Sequence, residues 1–169
     1  MSDAVDAIIG QWVEERPELT DAMWPVQVLA RVQRLSMVLS KENKAFAVEH
    51  GLEMGEFDVL TTLRRSGPPY ALTAGAFLKA AMVTSGAITN RVDRMEAKGL
   101  VERVRDGSDR RTVRIRLTER GMEMTDQLMA DHLVNYERII GAALSREECE
   151  QVASGLRKLL EAHGDTTIK

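Results

Sequence analysis

The densest cluster of chemically active side chains is the stretch RVRDGSDRRTVRIRLTERG, residues 103 to 121, which holds seven arginines. Guanidinium groups bind phosphates through paired, charge-assisted hydrogen bonds. From residue 79 to residue 120 the chain has 11 Lys/Arg and 6 Asp/Glu, a net of +5, although the whole chain carries -3. A basic segment in an acidic chain indicates a face that meets nucleic-acid phosphates, and a solvated charged hairpin is the alternative.

Two strands are predicted to carry these arginines. Residues 100–105 and 112–118 alternate apolar with charged side chains, which is typical of strands with one buried face. The apolar positions are Val101, Val104, Val113, Ile115 and Leu117. Between the strands, Asp106-Gly107-Ser108-Asp109 has the composition of a turn. The pattern therefore predicts a hairpin whose tip presents Arg110 and Arg111.

Two short helices are predicted directly before this hairpin. Thr73 can cap a helix over 74–80, and Thr84 can cap a second helix that ends near Lys98 and Gly99. In the second helix an apolar stripe is predicted to be buried: Ile88, Val92 and Met95. Side chains that can donate to phosphates and base edges lie on its other faces: Ser85, Thr89, Asn90 and Arg94. A helix-turn-helix followed by a two-stranded hairpin is a winged helix.

Further helices are predicted on both sides of this unit. They cover 4–15, about 20–49, 54–65, about 121–144, and a last helix that opens with the capping box Ser145/Glu148 and ends near His163. The apolar stripes of the last two helices, which include His132 and Leu156, fit either an internal core or packing on a second copy. The predicted fold class is mainly α with a small β-hairpin.

Composition limits the remaining possibilities. With 44% hydrophobic and 4% aromatic residues, the 169-residue chain is expected to be mostly helical. No run of about 18 apolar residues is present, and the N-terminus lacks the pattern of a secretory signal. The single cysteine, Cys149, suits the cytosol, so we expect a cytoplasmic protein.

The hairpin segment resembles the MarR family of bacterial transcriptional regulators. The family's wing pattern, Asp-x-x-Asp-Arg-Arg followed by a strand and Leu-Thr-x-x-Gly, is matched by Asp106, Asp109, Arg110, Arg111, Leu117, Thr118 and Gly121. The resemblance implies a homodimer with dimerisation helices in 1–50 and 121–169 and a winged helix-turn-helix in 51–120. It also implies binding to a DNA operator through Ser85, Thr89, Asn90 and Arg91 of the recognition helix and Arg110 of the wing, where Asp109 holds a wing arginine in place. The predicted DNA-binding set also includes Thr84, Arg94 and Arg111, which lie in the same helix and hairpin tip.

The N-terminal part resembles the PecS-like, urate-responsive branch of that family, which has an additional first helix. That resemblance implies a small-molecule effector and assigns Trp12, Arg64 and Arg91 to its binding, whereas Arg65 stands at the position of an acid. Because several arginines and no carboxylate would surround the ligand, a small anionic metabolite such as a polycarboxylate is expected rather than urate itself. The alternative is that Arg64 and Arg65 only stabilise the end of their helix.

Other functions remain as alternatives. Cys149 lies in the first turn of a predicted helix, so a cysteine-based oxidant sensor is one alternative. A winged helix that binds another protein is a second. No phosphate-binding loop, nucleophile motif or spaced Cys/His cluster occurs in the sequence, so neither an enzyme nor a metal or other cofactor is expected.

Overall fold

The computed structural model describes residues 2–80, 88–105 and 112–167. The chain divides into two compact units, Met1–Phe46 and Ala47–Lys169. Within the described residues the helical elements are α1 Ala4–Glu15, the 3-10 segment Pro17–Ala22, α2 Trp24–Glu49, α3 Met54–Arg65, α4 Ala74–Ala80, α5 Ile88–Ala97, α6 Glu119–Gly141 and α7 Arg146–Ala162. The strands are β1 Ala71–Thr73, β2 Val101–Arg105 and β3 Val113–Leu117.

In the N-terminal unit, an acidic cap ties α1 to α2. The Asp3 carboxylate accepts the backbone N–H groups of Val5 at 2.8 Å and Asp6 at 3.0 Å, and the Asp6 side chain accepts that of Asp3. Arg31 of α2 donates to both carboxylates, at 2.8 Å to Asp3 and 2.6 Å to Asp6. The predicted helix over 4–15 is confirmed.

The predicted start of the second helix is wrong. Residues Pro17–Ala22 form a 3-10 helix, and α2 begins only at Trp24. Pro25 has no N–H to give to a carbonyl four residues earlier, so the regular helix can begin only where Pro25 falls in its first turn.

The sheet has three antiparallel strands in the order β1-β3-β2. The predicted hairpin strands are confirmed, with Val101 opposite Leu117 at the base and Arg105 opposite Val113 towards the tip. Strand β1 was not predicted, because three residues are too few to show an alternation; its register places Ala71 opposite Arg116. The alternation is realised only at the base, since Val101, Ile115 and Leu117 are buried while Val113 is 48% exposed.

The Leu-Thr-x-x-Gly motif connects the end of the sheet to the beginning of α6. Thr118 is the N-cap: its hydroxyl accepts the N–H of Gly121 at 2.9 Å and donates to the carbonyl of Gly99 at 2.8 Å. A Cβ at Gly121 would stand 1.9 Å from the carbonyl oxygen of Leu100, so only glycine fits there. The helix therefore begins at Glu119, two residues before the predicted start, with Gly121 in its first turn.

Helices α3 and α6 pack against each other in the C-terminal unit. The buried His132 ring of α6 lies 5.0 Å from the Phe57 ring of α3 and 4.1 Å from the Tyr136 ring. The α6 stripe thus belongs to the internal core. By contrast α7, whose Ser145/Glu148 capping box is confirmed, contains no buried residue. None of the helices in the described ranges is long and apolar enough to span a membrane.

His132 makes folding stability depend on pH. Burial lowers its pKa below the ordinary 6.5, so below pH 6.5 the unfolded chain binds more protons at this side chain than the folded one does. The free energy of unfolding is therefore expected to fall as the pH drops from about 6.5 towards the lowered pKa. His132→Phe should reduce that fall, measured by urea denaturation at about pH 7.5 and about pH 5.5. His163→Gln, at an exposed position, is the control and should behave like the wild type; an unchanged pH response of His132→Phe contradicts the assignment.

Candidate nucleic-acid interface

Helix α5 separates an apolar face from a polar one, as the sequence predicts. Val92 and Met95 are buried, and Ile88 is half-buried. Thr89 and Asn90, two of the predicted DNA-binding residues, are exposed at the beginning of the described helix. Their amide and hydroxyl groups are the kind that contact base edges and phosphates. The other predicted positions near this helix start, Thr84 and Ser85, lie outside the described residues, as do Asp109, Arg110 and Arg111 of the wing.

The hairpin is fixed to α5 by charge. Arg103 of β2 pairs with Asp93 and Glu96 of α5, and its backbone N–H donates to Glu96 at 3.1 Å. Across the hairpin, Arg116 binds the Glu102 carboxylate at 2.8 Å in the register that places these residues opposite each other. Two of the arginines in the basic stretch therefore have structural partners, and the wing and α5 form one connected surface.

Arg94, predicted from the sequence to contact DNA, is held by α3. Its guanidinium donates to Glu53 at 2.7 Å and to Glu56 at 3.3 Å. Lys98, just beyond the end of α5, donates to the same Glu56 at 2.7 Å. Burial favours a raised pKa for Glu56, but the bonds from Lys98, the Glu53 backbone and Arg94 outweigh it and hold the pKa below its usual value. These acids were not singled out in the sequence, although the E-x-x-E spacing of a capping box was a usable signal.

Arg91 lies across the backbone of α3. A Cβ at Gly55 would stand 2.3 Å from Arg91 Nε and 2.4 Å from Cζ, so the guanidinium occupies the space that glycine leaves. Burial raises the pKa of the nearby Asp58 carboxyl, and the charge of Arg91 partly offsets that rise. By resemblance to the branch, Arg65 stands at the acidic position; the structure provides a different carboxylate, that of Asp58, within the electrostatic influence of Arg91.

The remaining predicted ligand residues have separate surroundings. Arg64 binds Asp126 of α6 through two hydrogen bonds, 2.7 and 3.0 Å, and its guanidinium lies 4.9 Å from the centre of the Tyr70 ring. Its neighbour Arg65 donates to the backbone carbonyl of Ala80 at the end of α4. Trp12 is on α1 in the N-terminal unit and is 49% exposed.

Comparison with known proteins agrees with this geometry. The profile of the MarR family matches residues 50–112. The chain is 35% identical over 144 residues to the HTH-type transcriptional regulator PecS of Dickeya dadantii (strain 3937), covering 85% of both chains. The chain belongs to the MarR family. The extent of the PecS match also supports the predicted resemblance to the PecS-like branch.

Other MarR-family proteins resemble this one less closely in sequence. The HTH-type transcriptional regulator MhqR of Bacillus subtilis (strain 168) is 32% identical over 111 residues, which cover 66% of this chain and 74% of MhqR. The crystal structure of AbsC, a MarR family regulator from Streptomyces coelicolor, superposes with a TM-score of 0.70 at 22% identity and covers 85% of this chain and 97% of AbsC. Sco3205 from Streptomyces coelicolor, solved in complex with DNA, gives a TM-score of 0.63 at 20% identity over 79% of this chain and 86% of Sco3205.

The charge interaction between Arg91 and Asp58 can be measured directly. Arg91→Gln removes the positive charge that opposes the effect of burial, so we expect the pKa of Asp58 to rise further. Gly55→Ala should raise it as well, because the added Cβ displaces the guanidinium. The measurement is the pH dependence of the Asp58 side-chain carboxyl ¹³C chemical shift, with Arg65→Gln as a control that leaves it unchanged. Identical titration curves for Arg91→Gln and the wild type would contradict the pairing.

Proposed function

We propose that this MarR-family protein is a sequence-specific DNA-binding transcriptional regulator, a homodimeric repressor that a small anionic metabolite releases from a pseudo-palindromic operator. The observation that carries the proposal is the exposed pair Thr89 and Asn90 on α5, next to the hairpin that Arg103 fixes to the same helix. A helix of this kind fits the major groove, while a basic wing reaches the adjacent backbone or minor groove. Such a regulator works in the cytoplasm and is not an enzyme.

The proposed dimer rests on the exposed apolar residues of the outer helices. Soluble chains rarely leave large apolar patches uncovered, and such patches mark interfaces. The exposed apolar side chains on these helices include Val28, Leu29, Val32 and Leu35 of α2, Leu133, Val134 and Ile140 of α6, and Val152, Leu159 and Leu160 of α7. We therefore assign dimerisation to 1–50 and 121–169 and DNA binding to 51–120. Two copies would place two recognition helices on one face of DNA, about one helical turn apart.

The proposed contacts to DNA divide by chemistry. Thr89 and Asn90, with Thr84 and Ser85, are assigned to base edges and to the phosphates next to them, because their side chains are short donors. Arg110 and Arg111 are assigned to the phosphate backbone or the minor groove at the wing, with Asp109 holding one of these arginines. Phosphate contacts supply most of the affinity and the base contacts fix the register.

The proposed effector site centres on Arg91. Arg91 belongs to α5 and at the same time contacts Gly55 of α3, so a ligand that draws its guanidinium away acts on the recognition helix. With Asp58 beside it, the site offers an acceptor as well as a donor. That combination fits a urate-like anion that carries N–H groups, whereas the arginines alone fit a polycarboxylate. Trp12 and Arg64 remain in the proposed set by resemblance to the branch, and Arg65 remains as the residue that replaces the acid of the branch.

DNA binding is tested with the duplex from the intergenic region upstream of the protein's own gene. We expect tight binding. The logarithm of the association constant should fall linearly with the logarithm of salt concentration, with a slope of about 0.9 for each phosphate neutralised. Arg110→Ala should weaken binding and reduce that slope by about 1, while the thermal unfolding midpoint stays unchanged, because a loop-tip arginine supports little core. Arg157→Ala on α7, at an exposed position, is the control and should bind like the wild type. Absence of specific binding even at low salt would favour the protein-interaction alternative.

The effector is tested by adding urate and small polycarboxylates to the DNA complex at fixed pH and ionic strength. We expect one class to weaken DNA binding about 5- to 150-fold, the usual range of coupling between two sites. Arg91→Ala should lose that response or the DNA affinity itself, and Asp58→Asn should lose the response to urate more than that to polycarboxylates. If Arg91→Ala kept both DNA affinity and full response, the coupling role fails. DNA binding that no compound disturbs would direct attention to oxidants and Cys149.

A further inference from the structure

The basic residues of α5 form a single stripe that faces α3. Arg91, Arg94 and Lys98 are spaced by three and four residues, so they lie on one side of the helix. Each of them meets the beginning of α3: Arg91 at Gly55, Arg94 at Glu53 and Glu56, and Lys98 at Glu56. The three cations between residues 88 and 98 therefore all contact the beginning of α3.

Glu56 is the centre of this contact. Its side chain has 0% exposure, yet it accepts three hydrogen bonds, from the Glu53 N–H at 2.9 Å, Lys98 Nζ at 2.7 Å and Arg94 Nε at 3.3 Å. Lys98 also donates to the carbonyl of Gly51 at 3.0 Å. A buried carboxylate is tolerated only when cations and donors satisfy it, so loss of a partner weakens that compensation.

This arrangement conflicts with a phosphate contact from Arg94. Its Nε and Nη2 groups already donate to the buried Glu56 and the neighbouring Glu53, so a phosphate would have to compete with two carboxylates for this charge. Thr89 and Asn90, by contrast, stand one turn nearer the N-terminus of α5 and are exposed, and within the described part of the chain neither has a carboxylate partner. The ion pairs therefore hold the C-terminal end of α5 on α3, and the exposed donors lie at the N-terminal end of α5.

We propose that Glu56, together with Glu53, is a positioning residue for DNA recognition: it fixes α5 on α3 through Arg94 and Lys98, which support DNA binding without neutralising phosphates. The inference rests on the proposed DNA-binding function and revises one prediction from the sequence, because Arg94 moves from the DNA contacts to the internal clamp. The term clamp is used below for Glu53, Glu56, Arg94 and Lys98.

The salt dependence of DNA binding separates a clamp residue from a phosphate contact. Using the upstream intergenic duplex, Arg94→Ala is expected to weaken binding about tenfold, the size of coupling within one ion-pair network, and to leave the slope against salt concentration unchanged. Arg110→Ala, assigned to the backbone, should reduce that slope by about 0.9. A slope reduced equally by Arg94→Ala would show that Arg94 neutralises a phosphate and would overturn the inference.

Glu56→Gln tests the acid itself, since it keeps the shape and removes the charge. At temperatures where the variant is folded, we expect it to bind DNA more weakly, with an unchanged dependence of the affinity on salt concentration. We also expect faster amide hydrogen exchange in α5 but not in α7. Leu128→Ala, at a buried position of α6, is the matched control: it lowers stability but should keep DNA affinity. Wild-type affinity in Glu56→Gln, or an equal loss in Leu128→Ala, overturns the inference.

Two results distinguish this inference from the function on which it depends. If the wild type does not bind the duplex specifically, the proposed function itself is wrong and the clamp has no role in recognition. If the wild type binds tightly and the clamp variants match it, only the inference fails. Should Glu56→Gln not fold, Arg94→Ala decides the matter, because the Arg94 side chain is partly exposed and its loss removes no core packing.

Discussion

A carboxylate that has no contact with solvent, that of Glu56, joins the start of α3 to the end of α5. Its burial is tolerable because Lys98, Arg94 and a backbone N–H all donate to it. These donors can satisfy one carboxylate only when the two helices take one relative position. The orientation of the helix proposed to enter DNA is therefore set by an ion-pair network at its C-terminal end, together with the burial of Val92 and Met95.

The same distribution of charge limits what the basic segment offers to DNA. Arg103 is bound by Asp93 and Glu96, and Arg116 is bound by Glu102, so these two cations of the segment already have carboxylate partners in the fold. A count of Lys and Arg in the sequence treats these residues as if all of them were available to phosphates. For a winged helix in an acidic chain, the electrostatic attraction to DNA is consequently expected to come from fewer cations than the composition suggests.

At two positions a neighbouring group comes so close to the backbone that only glycine leaves enough space. Gly121 completes the family's Leu-Thr-x-x-Gly pattern because the carbonyl of Leu100 occupies the place of a Cβ, which lets Thr118 cap α6 directly after the sheet. Gly55 leaves the space that the Arg91 guanidinium fills. One glycine thus joins the wing to α6, and the other lets a residue of α5 rest on α3 beside Asp58.

The sequence by itself determined most of the local structure and the family. The alternation over 100–105 and 112–118 predicted β2 and β3, and capping boxes and helical stripes predicted α1, α3 and α7, because these signals depend on near neighbours along the chain. Tertiary structure decided what each charged residue does. Arg94 and Asn90 look equally suited to DNA in the sequence, but Glu53 and Glu56, 41 and 38 residues before Arg94, engage only the arginine. The short strand β1 and the charge interaction of Arg91 with Asp58 likewise depend on segments that are distant along the chain, so no local sequence pattern predicts them.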